Sequence, residues 1–143
     1  MPMNLKNIIL AVNELIEREF PTVEIQSNDV KEGFKRPSFF VELDGVSKDT
    51  RLYSYERELT VRIYYFPKSR HEYSLETLDI QEKLEEIFGL TLPIEGRPII
   101  IDGTSTSIVD GVVQFDIDLS FSVRRDVIDP GEPMQELDFR KKG

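Results

Sequence analysis

One histidine, no cysteine and two closely spaced pairs of carboxylates are the chemical resources of this 143-residue chain. His71 stands beside Arg70 in a polar stretch. With no second histidine and no thiol, neither a common zinc site nor a nucleophile triad can be assembled around it, and a plain surface residue is the expected reading. The lack of cysteine also removes disulfides and thiolate catalysis. The eight glycines are scattered, and none spells a phosphate-cradling loop. What is left is acidic. Asp116 and Asp118 lie two apart in a stretch of strict alternation and so share one face of a strand, as Glu56 and Glu58 do on another. If those strands are neighbours, four carboxylates could meet and bind Mg²⁺ or Mn²⁺, as a small metal-dependent hydrolase requires. No lysine or histidine accompanies them at a matching spacing as acid or base. A solvated face, a functional acidic surface and a metal site all stay open; no cofactor is called for.

The basic residues sort differently. Lys31, Lys35 and Arg36 cluster around Gly33 and Phe34, and Lys48 and Arg51 fall in what reads as a second loop. Ordinary solvated charge is one reading. The other is contact with an acidic partner, and in a chain of net charge −9 the nearest acidic partner is another copy of itself. Complementarity of this kind sets register more than affinity. The same charge argues against general nucleic-acid binding, which needs basic surface to displace counterions. The N-terminal apolar run from Ile8 to Val12 is short, gives way to Asn13 and Glu14, and lacks a signal peptide's layout. No stretch approaches the ~20 apolar residues of a membrane span. A soluble protein made in the cytosol is expected.

The elements that must position these groups are read from periodicity. Ile, Leu, Val and Phe make up about a third of the chain, well above the roughly 20 % at which a charged chain stays disordered. Leu5, Ile8, Ile9, Val12, Leu15 and Ile16 form one helical stripe from about Asn4 to Phe20, capped by Asn4 and stopped by Pro21. A short strand at Val23 to Gln26 and a polar loop from Asp29 to Pro37 follow. Phe39, Val41 and Leu43 alternate into a strand ending at the Asp44-Gly45 turn signal. The next strand lies within Arg51 to Phe66, with a bulge or break expected near Ser54 to Arg57 because sixteen residues is long for one strand. A second helix is read from about Leu75 to Phe88, with Ser74 as N-cap, Tyr73 and Leu78 as a staple, and Gly89 as the terminating glycine. Ile99-Ile100-Ile101 is apolar on both faces and reads as a central strand. Ser105 to Val109, Asp110-Gly111 and Val112 onward spell a hairpin, whose second strand alternates through Val113, Phe115, Ile117, Leu119, Phe121 and Val123.

These patterns predict an α+β fold of two layers, a mainly antiparallel or mixed sheet with two helices packed on one face. The domain occupies 1–125, and 126–143, with Pro130, Gly131, Pro133 and a basic end, is expected to be a C-terminal arm or mobile tail.

The segment Gly33-Phe34-Lys35-Arg36-Pro37-Ser38-Phe39-Phe40 carries a resemblance. A helix, then G-F-x-x-P-x-F-F, a long strand ending Tyr64-Tyr65-Phe66-Pro67 and another helix is similar to the phage tail terminator family of phages and prophages of Gram-positive bacteria. It covers about Leu5 to Arg125. The motif has a physical reading as well: Pro37 forces Arg36 to be extended, and Phe39 and Phe40 then point to opposite faces. The resemblance implies a structural protein of the virion tail, not an enzyme. It implies a ring of copies, typically six, on the end of the tail tube, stopping polymerisation and presenting a surface to the head. Its partners would be itself, the tube protein and a head-joining protein, with no specific nucleic-acid binding and no membrane. A head–tail connector protein is the structural alternative. On this reading Lys31, Phe34, Lys35, Arg36, Lys48 and Arg51 are candidates for an assembly interface. Asp116, Asp118, Glu56 and Glu58 are candidates for an acidic face toward the channel.

Overall fold

The computed structural model describes residues 4–26, 36–68 and 74–125. Two helices and six strands follow in the order α1 (Leu5–Glu19), β1 (Glu24–Gln26), β2 (Ser38–Thr50), β3 (Ser54–Phe66), α2 (Ser74–Ile87), β4 (Thr91–Ile94), β5 (Arg97–Val109) and β6 (Val112–Arg124). The strands form one mixed sheet in the order β1-β2-β3-β6-β5-β4. Only the β1–β2 pair is parallel. The expected arm at 126–143 and the staple residue Tyr73 lie outside the described residues.

α1 forms where the periodicity places it. The Asn4 side chain accepts the Asn7 N–H at 2.8 Å, satisfying one of the donors that a helix start leaves without an internal partner. Ile8, Val12 and Ile16 are fully buried, while Glu14, Glu17, Arg18 and Glu19 face water. In α2 the buried residues are Thr77, Ile80 and Leu84, with Phe88 just beyond the helix. Leu75, off the stripe, is 81 % exposed. Gly89 does not adopt the left-handed conformation of a helix-ending glycine; the chain turns there with the Phe88 N–H on the Leu84 carbonyl at 2.9 Å.

One core cluster joins residues of both helices to one face of the sheet: Phe39 and Val41 of β2, Leu59 to Tyr65 at alternate positions of β3, and Val113 to Leu119 at alternate positions of β6. Register explains why. Val61 pairs with Ile117 and Ile63 with Phe115, so the apolar alternations of two strands coincide on one side. Phe39 lies between Phe20 and Tyr65, with ring centroids 5.0 and 4.9 Å away.

Three strand expectations need correction. β2 does not end at Asp44-Gly45; it runs on to Thr50, because Gly45, at φ +59°, and Val46 form a bulge opposite Leu59 and pairing resumes at Ser47. The bulge expected in β3 is therefore on its neighbour, and β3 pairs with β6 without a break. The Ile99–Ile101 run is not apolar-buried on both sides. Ile100 is 62 % exposed, and β5 bends at a bulge around Asp102, pairing with β4 before it and β6 after it. β4 itself was not expected from the sequence. The turn Glu95-Gly96 that joins it to β5 has φ of +50° and +80°, and Asp110-Gly111, at +53° and +77°, closes β5 onto β6; both have the two positive φ angles of tight hairpins.

Candidate assembly surface

The second face of the β2–β3–β6 ladder carries the polar residues of the alternation. At its centre is Arg62. Its Nε donates to Asp116 Oδ1 at 2.9 Å, its Nη2 lies 3.1 Å from Asp44 Oδ2, and its Nη1 lies 3.8 Å from Glu42 Oε2. One guanidinium thus spans three strands, and its side chain is only 24 % exposed. The hydrogen bond to Asp116, working against the cost of burial, raises the Arg62 pKa above its ordinary value. Tyr64 extends the network by donating to Glu42 Oε2 at 2.7 Å, and Thr60 donates to Asp118 Oδ1 at 2.8 Å.

The four candidate carboxylates do lie on this one face of neighbouring strands, yet they do not meet. Asp116 pairs across the ladder with Arg62 and Asp118 with Thr60, whereas Glu58 faces Ser120 and Glu56 faces Ser122. They form a line along the strands. Glu56 is further engaged by Arg51 at 3.7 Å. Among the described residues no group of three or more acids or histidines is placed to hold a metal ion; His71 lies outside them. Register decides this, since alternation puts acids on a face without saying what stands opposite each.

Beyond the ionic network the same face becomes apolar. Phe40 and Tyr64 stack at 6.0 Å, Tyr64 and Phe66 at 6.4 Å, and these rings with Glu42, Val109, Val112 and Gln114 line a shallow groove of about 360 Å³. Arg36 lies against one of these rings, its guanidinium 5.8 Å from the centre of Phe66, and its Nη1 donates to the Pro67 carbonyl at 3.2 Å. Phe39 in the core and Phe40 on this face divide as the motif predicts.

The basic candidates are dispersed. Lys31, Phe34 and Lys35 lie outside the described residues, and Arg36 packs into its own fold. Lys48 is not in a loop: it sits on β2, its ammonium 4.4 Å from the Tyr55 ring. Arg51 begins the turn to β3 and binds Asp49 at 3.1 Å. That turn is fastened from β6. Arg125 donates its backbone N–H to the Tyr53 carbonyl at 2.9 Å, and its guanidinium donates to the carbonyls of Arg51 and Leu52. The tip residues Leu52 and Tyr53 remain 63 % and 66 % exposed.

The sequence reading missed Arg62, Glu42 and Asp44. Each sits at a polar position of the alternation, so the face was legible. That one arginine gathers the acids of two neighbouring strands depended on strand order and the β2 bulge, which sequence spacing does not contain.

Comparison with protein families decides the class. The model of the phage tail terminator protein family matches residues 7–131. The chain belongs to that family. Its place among the structural components of the phage tail follows. A search of curated proteins found no match. Among the described residues no helix is long and apolar enough to cross a membrane.

Proposed function

We propose that this terminator acts as a ring of copies, six by analogy with its family, on the end of the tail tube. There it stops tube polymerisation and presents the surface to which the head joins. The family match over 7–131 carries this reading and favours it over a head–tail connector. The protein is made in the host cytoplasm and works in the virion tail without catalysis, its partners being itself, the tube protein and a head-joining protein. The single core cluster that includes both helices supports a two-layer arrangement with both helices on one side of the sheet, leaving the other side for assembly.

In this ring the acidic line of Asp116, Asp118, Glu56 and Glu58 faces the channel, where carboxylates repel DNA phosphates and keep the passage from sticking. Lys48 and Arg51, on the hairpin of β2 and β3, belong to contacts between subunits or with the tube, as do Lys31, Phe34 and Lys35. Arg36 contributes by packing against Phe66. Native mass spectrometry and mass photometry across a concentration range test the ring. Closed cyclic species growing in with concentration are expected; a tight two-fold dimer independent of concentration would overturn the reading.

A further inference from the structure

Two long stretches of the sheet have a strand neighbour on one side only among the described residues. β1 covers β2 at 38–40 and no further, so 41–50 pair only with β3. β4 covers β5 at 97–100, so 103–109 pair only with β6. Bonded and non-bonded pairs alternate along an antiparallel ladder. Counting from the two-residue turn that joins Val109 to Val112, residues 104, 106 and 108 turn their N–H and C=O groups outward. Counting from the Arg51 N–H on the Ser54 carbonyl, at 2.7 Å, Lys48 and Thr50 do so on β2.

Exposed edges invite pairing with other chains, and proteins guard them with charge, proline or cover. Among the described residues, 103–109 of β5 carry no such guard. From Gly103 to Val109 it reads Gly-Thr-Ser-Thr-Ser-Ile-Val, without charge or proline and rich in β-branched residues, and Ile108 and Val109 are exposed. β2 carries Glu42, Asp44, Lys48 and Asp49 on its stretch, and 103–109 of β5 have no charge to clash with them.

We propose that the β5 edge of one copy pairs with the β2 edge of the next, joining the sheets of successive copies into one closed sheet. This deepens the ring reading above and rests on it. Strand direction agrees: β2, β3, β6 and β5 alternate through three antiparallel pairs, so β5 runs opposite to β2. When rotation about an axis roughly along the strands brings the next copy alongside, the new pair is antiparallel as well. The offset agrees too. Through the ladder Ser47 stands level with Ser120, and the same-face residues Ser105 and Ser107 with Asp116 and Gln114, four or six residues along β6. At about 3.3 Å per residue and about 4.8 Å per strand, four strands per copy joined with either offset tilt by about 35° or about 46°, close to the two ends of the ~35–45° typical of closed sheets.

The absence of cysteine makes the test clean. Ser47 shares the polar face with Glu58, and Ser105 and Ser107 share it with Asp116 and Gln114. Full-length double variants Ser47→Cys/Ser105→Cys and Ser47→Cys/Ser107→Cys, which differ by one step of register, are oxidised in concentrated solution and in purified tails. At least one is expected to give a ladder of covalent dimers, trimers and larger species, while each single variant gives none. Independently, Thr104→Pro removes an outward N–H but no bond of the β6 ladder. It is expected to keep the native circular dichroism spectrum and lose association. Covalent dimers from Ser105→Cys or Ser107→Cys alone would mean two-fold β5 pairing and overturn the proposal. Rings in native mass spectra with no ladder, or rings intact in Thr104→Pro, would overturn the edge assignment and leave the ring standing. No assembly in solution or on tails would overturn both.

Discussion

Tyr64 and Tyr65 are neighbours on β3, point to opposite faces of the sheet, and each donates its hydroxyl to a glutamate. Tyr65 is buried among the core residues and reaches Glu76 of α2 at 2.5 Å; that carboxylate also accepts the Lys68 N–H at 2.9 Å. Tyr64 lies half-buried on the other face and reaches Glu42 of β2. The first bond ties a helix to the sheet. The second belongs to the network of polar groups around Arg62 on the opposite face. The two sides of one ladder are thus built differently. Its apolar side holds the fold, and its polar side is tied together by Arg62.

Substitutions can break that contrast, beginning with the core. Phe115→Ala removes a fully buried ring and is expected to cost about 3–5 kcal/mol in denaturant unfolding. Ser122→Ala, an exposed position on the polar side of the same strand, should stay within ~0.5 kcal/mol. Equal losses at both would mean the faces are not energetically distinct.

Arg62→Met comes next. It leaves Asp116, Asp44 and Glu42 facing one another without their common cation, and about 1–3 kcal/mol should be lost, with only a part returning in Arg62→Lys, whose single ammonium cannot reach all three acids as the guanidinium fork does. An unfolding midpoint unchanged in Arg62→Met would show the network to be plain solvated charge.

Tyr65→Phe should cost about 1 kcal/mol at neutral pH and alter the alkaline limb. Burial first, and then the bond to Glu76, holds the Tyr65 hydroxyl above the ordinary tyrosine value of 10.0. A group whose folded-state pKa is raised contributes stability that is complete below the unfolded value and lost as pH rises above it. Stability of the native sequence should therefore fall from about pH 10 upward, and Tyr65→Phe should flatten that fall. Burial, then Glu42, also raises Tyr64, so Tyr64→Phe should flatten it less. Identical alkaline slopes in all three proteins would contradict the assignment.

The smallest expected effect is none. Mg²⁺ or Mn²⁺ should not raise the melting temperature, because Asp116 and Asp118 are already occupied by Arg62 and Thr60 and the four acids are strung out along the ladder. A saturable rise, lost in Asp116→Asn, would restore the metal site.

Much of this was legible beforehand, where local rules act alone. The α1 stripe, its Asn4 cap, the Asp110-Gly111 hairpin and the six-fold alternation of β6 each follow from periodicity or turn chemistry within a few residues. The losses have one cause, tertiary context. Gly45 carries a turn signal, yet β3 continues alongside and converts it to a bulge. Pro93 and Pro98 obscure β4, although Glu95-Gly96 marks the hairpin between them. The acidic pairs were visible and their face was correct. Arg62 could be recognised as their partner only once β2, β3 and β6 were known to lie side by side.

Electron microscopy of tails assembled with and without this protein tests the central claim most directly. With it, tails should be of uniform length and joined to heads. Without it, tubes should run past their normal length and carry no heads. Tails of normal length, joined to heads in its absence, would contradict the account.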